Sequence, residues 1–177
     1  MLQALEKTTQ LINRFSEQIG RGVAWLCVAL ILLICYDVMM RALTDQTATW
    51  IIELEWHLFS LIFLFGGAYA LKHDRHVRVD LFYANFSKRD KAWVNFAGTL
   101  FFLIPWCLVL IYFSYQFAFT SYEVGEGSPN PNGLPARYLI KFSICLGTIF
   151  LLLQAISMLL TALLTILHPT NSDSPAE

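Results

Sequence analysis

Four stretches of the chain stay apolar over the length an α-helix needs to cross a bilayer. The first is charge-free between Arg21 and Asp37 and continues through Val38, Met39 and Met40 to Arg41. The second runs from Trp50 to Leu71, with Glu53, Glu55 and His57 near its start. The third extends from Ala92 to Tyr122 without a charged residue, and the fourth from Phe142 to Leu167 between Lys141 and His168. About 20 residues rising 1.5 Å each cover roughly 30 Å of hydrocarbon. The third and fourth runs exceed that length. The second qualifies with its carboxylates at the interface, and the first if it includes Asp37. A β-barrel would instead alternate in segments of about 10 residues. The pattern predicts an all-α integral membrane protein with four transmembrane helices, near 22–41, 50–71, 92–119 and 139–167. Residues 1–167 form one membrane domain in this reading, and the polar segment 168–177 a disordered tail.

Charge sets the orientation. Lys7, Arg14 and Arg21 precede the first run, and Lys72, Arg75, Arg78, Lys88, Arg89 and Lys91 lie between the second and third. Only Arg41, Arg137 and Lys141 fall on the opposite side. Basic residues collect on the cytoplasmic side, so both termini are expected in the cytoplasm. Trp50 and Trp56 then sit toward the outer interface, and Trp25 and Trp93 toward the inner one. Residues 1–21 contain two acids and no apolar core before Val23, unlike a cleavable signal peptide. Leu5, Ile12, Phe15 and Ile19 recur at helical spacing, with Glu6, Lys7, Asn13, Arg14, Glu17 and Gln18 on other faces. Two readings fit that segment. It is an amphipathic helix lying in the interface and bent into the first span at Gly20 and Gly22, or the first span extends into the cytosol as one longer helix. Between the third and fourth runs, Glu123 to Pro135 is dense in Gly and Pro and reads as an exposed loop.

Composition narrows the function classes. Apolar residues make up 56% and charged residues 14%, with a mean hydropathy of +0.55. Soluble chains carry about a quarter charged residues, so a soluble enzyme, a disordered chain and a secreted disulfide scaffold are excluded. A net charge of −1 offers no basic surface for nucleic acid. Cys27, Cys35, Cys107 and Cys145 all fall inside apolar runs and form no C-x-x-C pair, which suits small buried hydrophobes. Only His57 lies inside a run, so a pair of haem-ligating histidines at membrane depth is not available. Around His73, Asp74, His76 and Asp80, the cations Lys72, Arg75 and Arg78 would repel a metal ion, and no metal site is expected. No internal repeat is evident, so the inverted halves of a complete small transporter are not visible.

Glu53, His57 and Ser60 share one helical stripe at i, i+4 and i+7, while Glu55 points elsewhere. An acid at mid-membrane costs about 2.5–3.5 kcal/mol on insertion scales and less near the edge. A group tolerated at that cost faces a partner or a wet cavity, as part of an ion path or as polar glue between helices or subunits. The third and fourth runs offer no matching polar positions at depth, which favours glue. Asp37 and Arg41, four residues apart with the acid first, suit a pair at the outer end of the first helix. Gly66 and Gly67, with Ala68 and Ala70, form a small-residue patch that lets a second backbone approach. Pro105 frees a carbonyl one turn earlier and is expected to bend the third helix.

The run Trp50-Ile51-Ile52-Glu53-Leu54-Glu55-Trp56-His57-Leu58-Phe59, followed by Phe65-Gly66-Gly67-Ala68-Tyr69-Ala70-Leu71-Lys72-His73-Asp74-Arg75-His76-Val77-Arg78-Val79-Asp80, resembles the small membrane subunit of tripartite ATP-independent periplasmic (TRAP) transporters. Ser128-Pro129-Asn130-Pro131-Asn132-Gly133-Leu134-Pro135-Ala136-Arg137-Tyr138 is similar to that family's outer loop before the last helix. Gly67 stands where many relatives carry Ala. The resemblance implies a heteromeric secondary transporter of the bacterial inner membrane, in which a periplasmic binding protein delivers an organic anion. A large subunit would carry the substrate and sodium sites and move like an elevator, and this chain would brace it as a fixed scaffold, with no cofactor of its own and no enzymatic activity. Trp50, Glu53, Glu55, Trp56, His57, Ser60, Gly66 and Gly67 are then expected at the subunit interface. Lys72, His76, Arg78 and Asp80 would form a cytoplasmic loop near lipid headgroups, and Glu123, Glu126, Ser128 and Pro129 would meet the binding protein. The alternative is an independent four-span channel or carrier with Glu53, Glu55 and His57 lining its pathway.

Overall fold

Each apolar run folds as a helix, and each helix outruns its run. A computed structural model of the chain, describing residues 2–74, 83 and 86–167, contains α1 (Leu2–Thr44), α2 (Thr49–Lys72), α3 (Lys88–Gly98), a π-helical turn (Thr99–Leu103), α4 (Ile104–Glu123) and α5 (Tyr138–Leu167). The described residues include no strand. Among them, four helical rods are long and apolar enough to cross a membrane: Leu5–Thr44, Thr49–Lys72, Lys88–Glu123 and Tyr138–Leu167. His76, Arg78, Asp80 and the tail 168–177 lie outside the described residues.

Local chemistry sets where the third rod starts and how it passes its proline. Ser87 caps α3, its Oγ accepting from the Asp90 N–H at 3.2 Å and donating to the Asp90 carboxylate at 2.7 Å. Pro105 has no N–H for the carbonyl of Phe101. The π turn falls at this point, with the Ile104 N–H donating five residues back to Thr99. The rod continues past it as one 36-residue unit.

The N-terminal segment is not a separate element. α1 runs unbroken for 43 residues, so the longer-helix reading describes its course, and Gly20 and Gly22 do not interrupt it. Its faces also differ from a surface amphipath. Leu11 and Phe15 are exposed, whereas Thr9 and Ser16 are buried. Thr9 and Ser16 face the bundle together with the half-buried Leu5, Ile12 and Ile19, while Glu6, Lys7, Arg14 and Gln18 stay exposed.

The interior is the reverse of a soluble core. Ala68, Cys107, Ala118 and Ala155 are wholly buried, while Trp25, Leu43, Phe63 and Phe102 are each more than 70% exposed. Helices in lipid gain nothing by hiding large apolar side chains from an equally apolar solvent. They gain by close approach, which small residues permit. Two buried hydroxyls are satisfied within their own helix: Ser143 donates to the Ile140 carbonyl at 2.6 Å and Thr148 to the Ile144 carbonyl at 2.8 Å. Of the four free cysteines, Cys107 and Cys145 are buried as expected, but Cys27 is half-buried and Cys35 exposed.

Helix α5 is the hub. It packs against α1, α2, α3 and α4, and α1 also packs on α2. α2 and α4 rest on α5 rather than on each other. Two glycines make the approach possible. A Cβ at Gly147 would stand 2.9 Å from both the Leu64 Cβ and the Leu64 carbonyl oxygen, and one at Gly20 would overlap the Tyr69 ring. A Cβ at Gly67 would meet nothing within 4 Å among the described residues. Gly147→Ala should therefore separate α5 from α2 and cost about 1–3 kcal/mol, the usual range for overpacking. Gly67→Ala should leave the isolated chain unchanged. Unfolding of each variant by sodium dodecyl sulfate titration from mild detergent checks both; equal stability of the two would contradict the packing described here.

Candidate interface at the Glu53 clamp

Glu53 lies one turn into α2, at the end of the bundle opposite Leu2 and Leu167, and only 3% of its surface is exposed. An ionised carboxylate in apolar surroundings needs donors. The loop between α4 and α5 brings three. Ser128 Oγ and Asn130 Nδ2 donate to Oε1, the latter at 3.1 Å, and the Leu134 N–H donates to Oε2 at 2.6 Å. The loop closes on itself through the Ser128 N–H to the Leu134 carbonyl at 3.1 Å and the Gly133 N–H to the Asn130 carbonyl at 3.1 Å. A Cβ at Gly133 would overlap the Ser128 side chain and stand 2.8 Å from Glu53 Oε2. Only glycine lets the loop wrap the carboxylate this tightly. Glu53 is polar glue, and the segments it joins belong to one chain.

A second tie fixes the base of the loop. Glu126 accepts from Ser121 Oγ at 2.6 Å and pairs with Lys141, while its carbonyl accepts the Arg137 N–H at 2.9 Å. The hydrogen bond from the Lys141 ammonium, then that from the Ser121 hydroxyl, hold the Glu126 carboxyl below its usual range. Lys141 Nζ lies 4.1 Å from the centre of the Phe117 ring, and Arg137 lies over the Trp56 ring at 5.6 Å. Of the four loop residues expected to meet a binding protein, Ser128 and Glu126 are thus engaged inside the chain. Glu123 and Pro129 are exposed.

The Glu53, His57 and Ser60 stripe does not form a relay. His57 Nδ1 stands 2.5 Å from the Glu53 carbonyl oxygen, and Ser60 Oγ donates to the Trp56 carbonyl at 2.7 Å. A carbonyl only accepts, so the His57 proton sits on Nδ1. Each group turns to a different local contact. Glu55 Oε1 is buried without a hydrogen-bond partner among the described residues. Asp37, 3% exposed, pairs with Arg41 as the spacing predicts. Trp50 is 43% exposed, and a Cβ at Gly66 would come no nearer than 3.9 Å to Val23.

The opposite half of the bundle holds a polar network that the sequence reading missed. Ser16 Oγ donates to Gln154 Oε1 at 2.7 Å, Gln154 Nε2 donates to Asn13 Oδ1 at 3.0 Å, and Ser157 Oγ donates to the same oxygen at 3.0 Å. The fourth run therefore does carry polar positions at depth, contrary to the expectation from its hydropathy. They join α5 to α1. Nearby, Lys72 Nζ lies 2.5 Å from Glu17 Oε2, with His73 Nε2 at 3.2 Å from the same atom. Lys72 is thus tied to α1.

Among the described residues, no group of three or more His, Cys, Asp or Glu side chains could hold a metal ion. The family model described as tripartite ATP-independent periplasmic transporters, DctQ component, matches residues 30–165, most of the chain. No match is found among curated proteins.

Glu53→Leu should release the loop while leaving the helices formed. Hydrogen exchange at the Leu134 amide is expected to quicken roughly tenfold, the equivalent of one lost hydrogen bond, with Glu53→Gln intermediate because it keeps one acceptor oxygen. Unaltered exchange in both variants would show that the carboxylate does not hold the loop. The Glu126 tie has a defined pH window. Because its folded carboxyl is depressed, its contribution is complete above the ordinary value of 4.5 and is lost as pH falls through the lower folded value. Exchange at the Arg137 amide, corrected for intrinsic pH dependence, should stay flat from neutrality to about pH 5 and rise below 4.5. Glu126→Gln should abolish that step.

Proposed function

The chain belongs to the DctQ component family of tripartite ATP-independent periplasmic transporters, and from that membership we propose that it is the fixed scaffold against which a large, elevator-type membrane subunit works. As a member it is a small membrane subunit of a TRAP transporter, a multi-pass membrane protein and a transport component. The complex would take up a small organic anion, a carboxylate or sulfonate, delivered by a periplasmic binding protein and driven by sodium. Sodium and substrate would bind in the large subunit. The chain would lie in a bacterial inner membrane with both termini cytoplasmic, as the distribution of Lys and Arg suggests.

The family match carries this reading. The internal engagement of the charged groups supports the scaffold role: Glu53 holds the loop, Asp37 pairs with Arg41, Glu17 with Lys72 and Glu126 with Lys141. Side chains used to fix a shape are not poised to coordinate a passing solute. Trp50, Glu55 and Gly67 are the second-helix positions we assign to the large subunit. Gly67 presents an open backbone for close approach. The exposed Glu123 and Pro129, on a loop whose shape Glu53 fixes, are assigned to the binding protein.

Reconstitution in proteoliposomes tests the assignment. Vesicles holding this chain with its large subunit should accumulate substrate only when a sodium gradient and the binding protein are both supplied. Vesicles with this chain alone should show no uptake. Transport by the single chain would overturn the scaffold role and make it a carrier in its own right.

A further inference from the structure

The bundle is open on one side. Because α2 and α4 rest on α5 without packing on each other, a groove of about 530 Å³ remains between them near the start of α5. Its walls are Trp56, Phe59 and Phe63 of α2 and Phe117 of α4, and Ile140 and Ile144 of α5 line its floor. That volume falls among sites of roughly 300–1,000 Å³ that bury a small organic ligand. The rim is charged. Arg137, Lys141 and Glu126 stand there together, and the Glu53 carboxylate close to Arg137 is already met by Ser128, Asn130 and Leu134. Lys141 is paired with Glu126. The Arg137 guanidinium lies over the Trp56 ring and forms no ion pair with a carboxylate among the described residues.

We propose that this groove is a binding site for one anionic phospholipid, its phosphate on Arg137 with Lys141 beside it and an acyl chain between the aromatic walls. The groove requires an occupant that is apolar along its length and anionic at one end. A phospholipid joins both properties in one molecule. The dimensions follow the same axis: from Arg137 to Ile144 the wall descends about 10 Å at the helical rise, from the rim toward the bilayer centre. The planar fork of a guanidinium matches phosphate oxygens, and basic pockets between spanning helices recognise anionic headgroups. A helix of the large subunit is the poorer fit. Close helix contact is built on small residues, and here the walls are bulky aromatics. On α2 the groove offers one small residue, Ser60, whose hydroxyl is turned back to the Trp56 carbonyl, and the glycines begin only at Gly66. The site rests on the membrane-spanning reading of the helices, and does not depend on which leaflet the Arg137 end faces or on what the complex transports.

The test uses the full chain co-purified with its large subunit and a phosphatidylglycerol carrying a photoreactive diazirine on one acyl chain. A matched phosphatidylcholine probe serves as the neutral-headgroup comparison. Illumination should attach the anionic probe to peptides spanning 59–64 and 140–144, well above the level of the neutral probe. Arg137→Gln should lower that labelling roughly tenfold, the effect of one lost charge-assisted contact. Ile144→Trp fills the floor while leaving the rim charges in place, and should block both probes even if the arginine variant fails to assemble. Equal labelling by the two probes, or labelling unchanged by Ile144→Trp, would overturn the proposal. So would a photoreactive residue at Phe63 that captures the large subunit and no lipid, because it would place a helix in the groove.

Discussion

A charge or amide taken out of water must be met by partners from the same fold, and that requirement organises this protein more than apolar burial does. Glu53 shows it most plainly. Its carboxylate, almost sealed from solvent, is met by Ser128, Asn130 and Leu134, about eighty positions away along the chain. Asn13 meets Gln154 and Ser157 across 141 and 144 positions, and Glu17 meets Lys72 across 55. Each contact closes a long stretch of chain between two helices or between a helix and a loop. In a solvent as apolar as leucine, such polar closures carry specificity that a soluble domain would draw from its hydrophobic core.

The small residues supply the complement. Gly147 lets α5 come against Leu64, and Gly20 lets α1 come against Tyr69. Large side chains are turned outward, toward lipid or a neighbouring subunit. With α5 at the centre and α2 and α4 apart, the bundle has a packed interior and an unclosed flank. Glu53, His57 and Ser60 each turn to a separate local contact within it.

The helices were legible because a spanning segment must be continuously apolar, and four such runs leave little choice. Their starts were less so, although the Ser87-Lys88-Arg89-Asp90 sequence that caps α3 was readable as a capping signal. In the N-terminal segment the pattern left two courses open, and it did not mark which polar side chains meet another helix. Asn13 and Ser16 face α5. Gln154 and Ser157 disappeared into an apolar run whose average hydropathy conceals isolated polar positions. The polarity of Glu53 was conspicuous in sequence, but its partners were not. They sit in a Gly- and Pro-rich stretch that reads as a plain exposed loop, and their convergence depends on Gly133 leaving room beside Ser128. Composition could not separate Gly147, buried against a backbone, from Gly67, which stands open.

Helix α1 has one mechanical consequence. Its 43 residues amount to roughly 65 Å of continuous rod at the helical rise, about twice the hydrocarbon thickness of a bilayer. Fastened along its flank to α2 and α5, it is too long for hydrocarbon to cover from end to end, so the surplus turns carry the same continuous rod past the membrane surface.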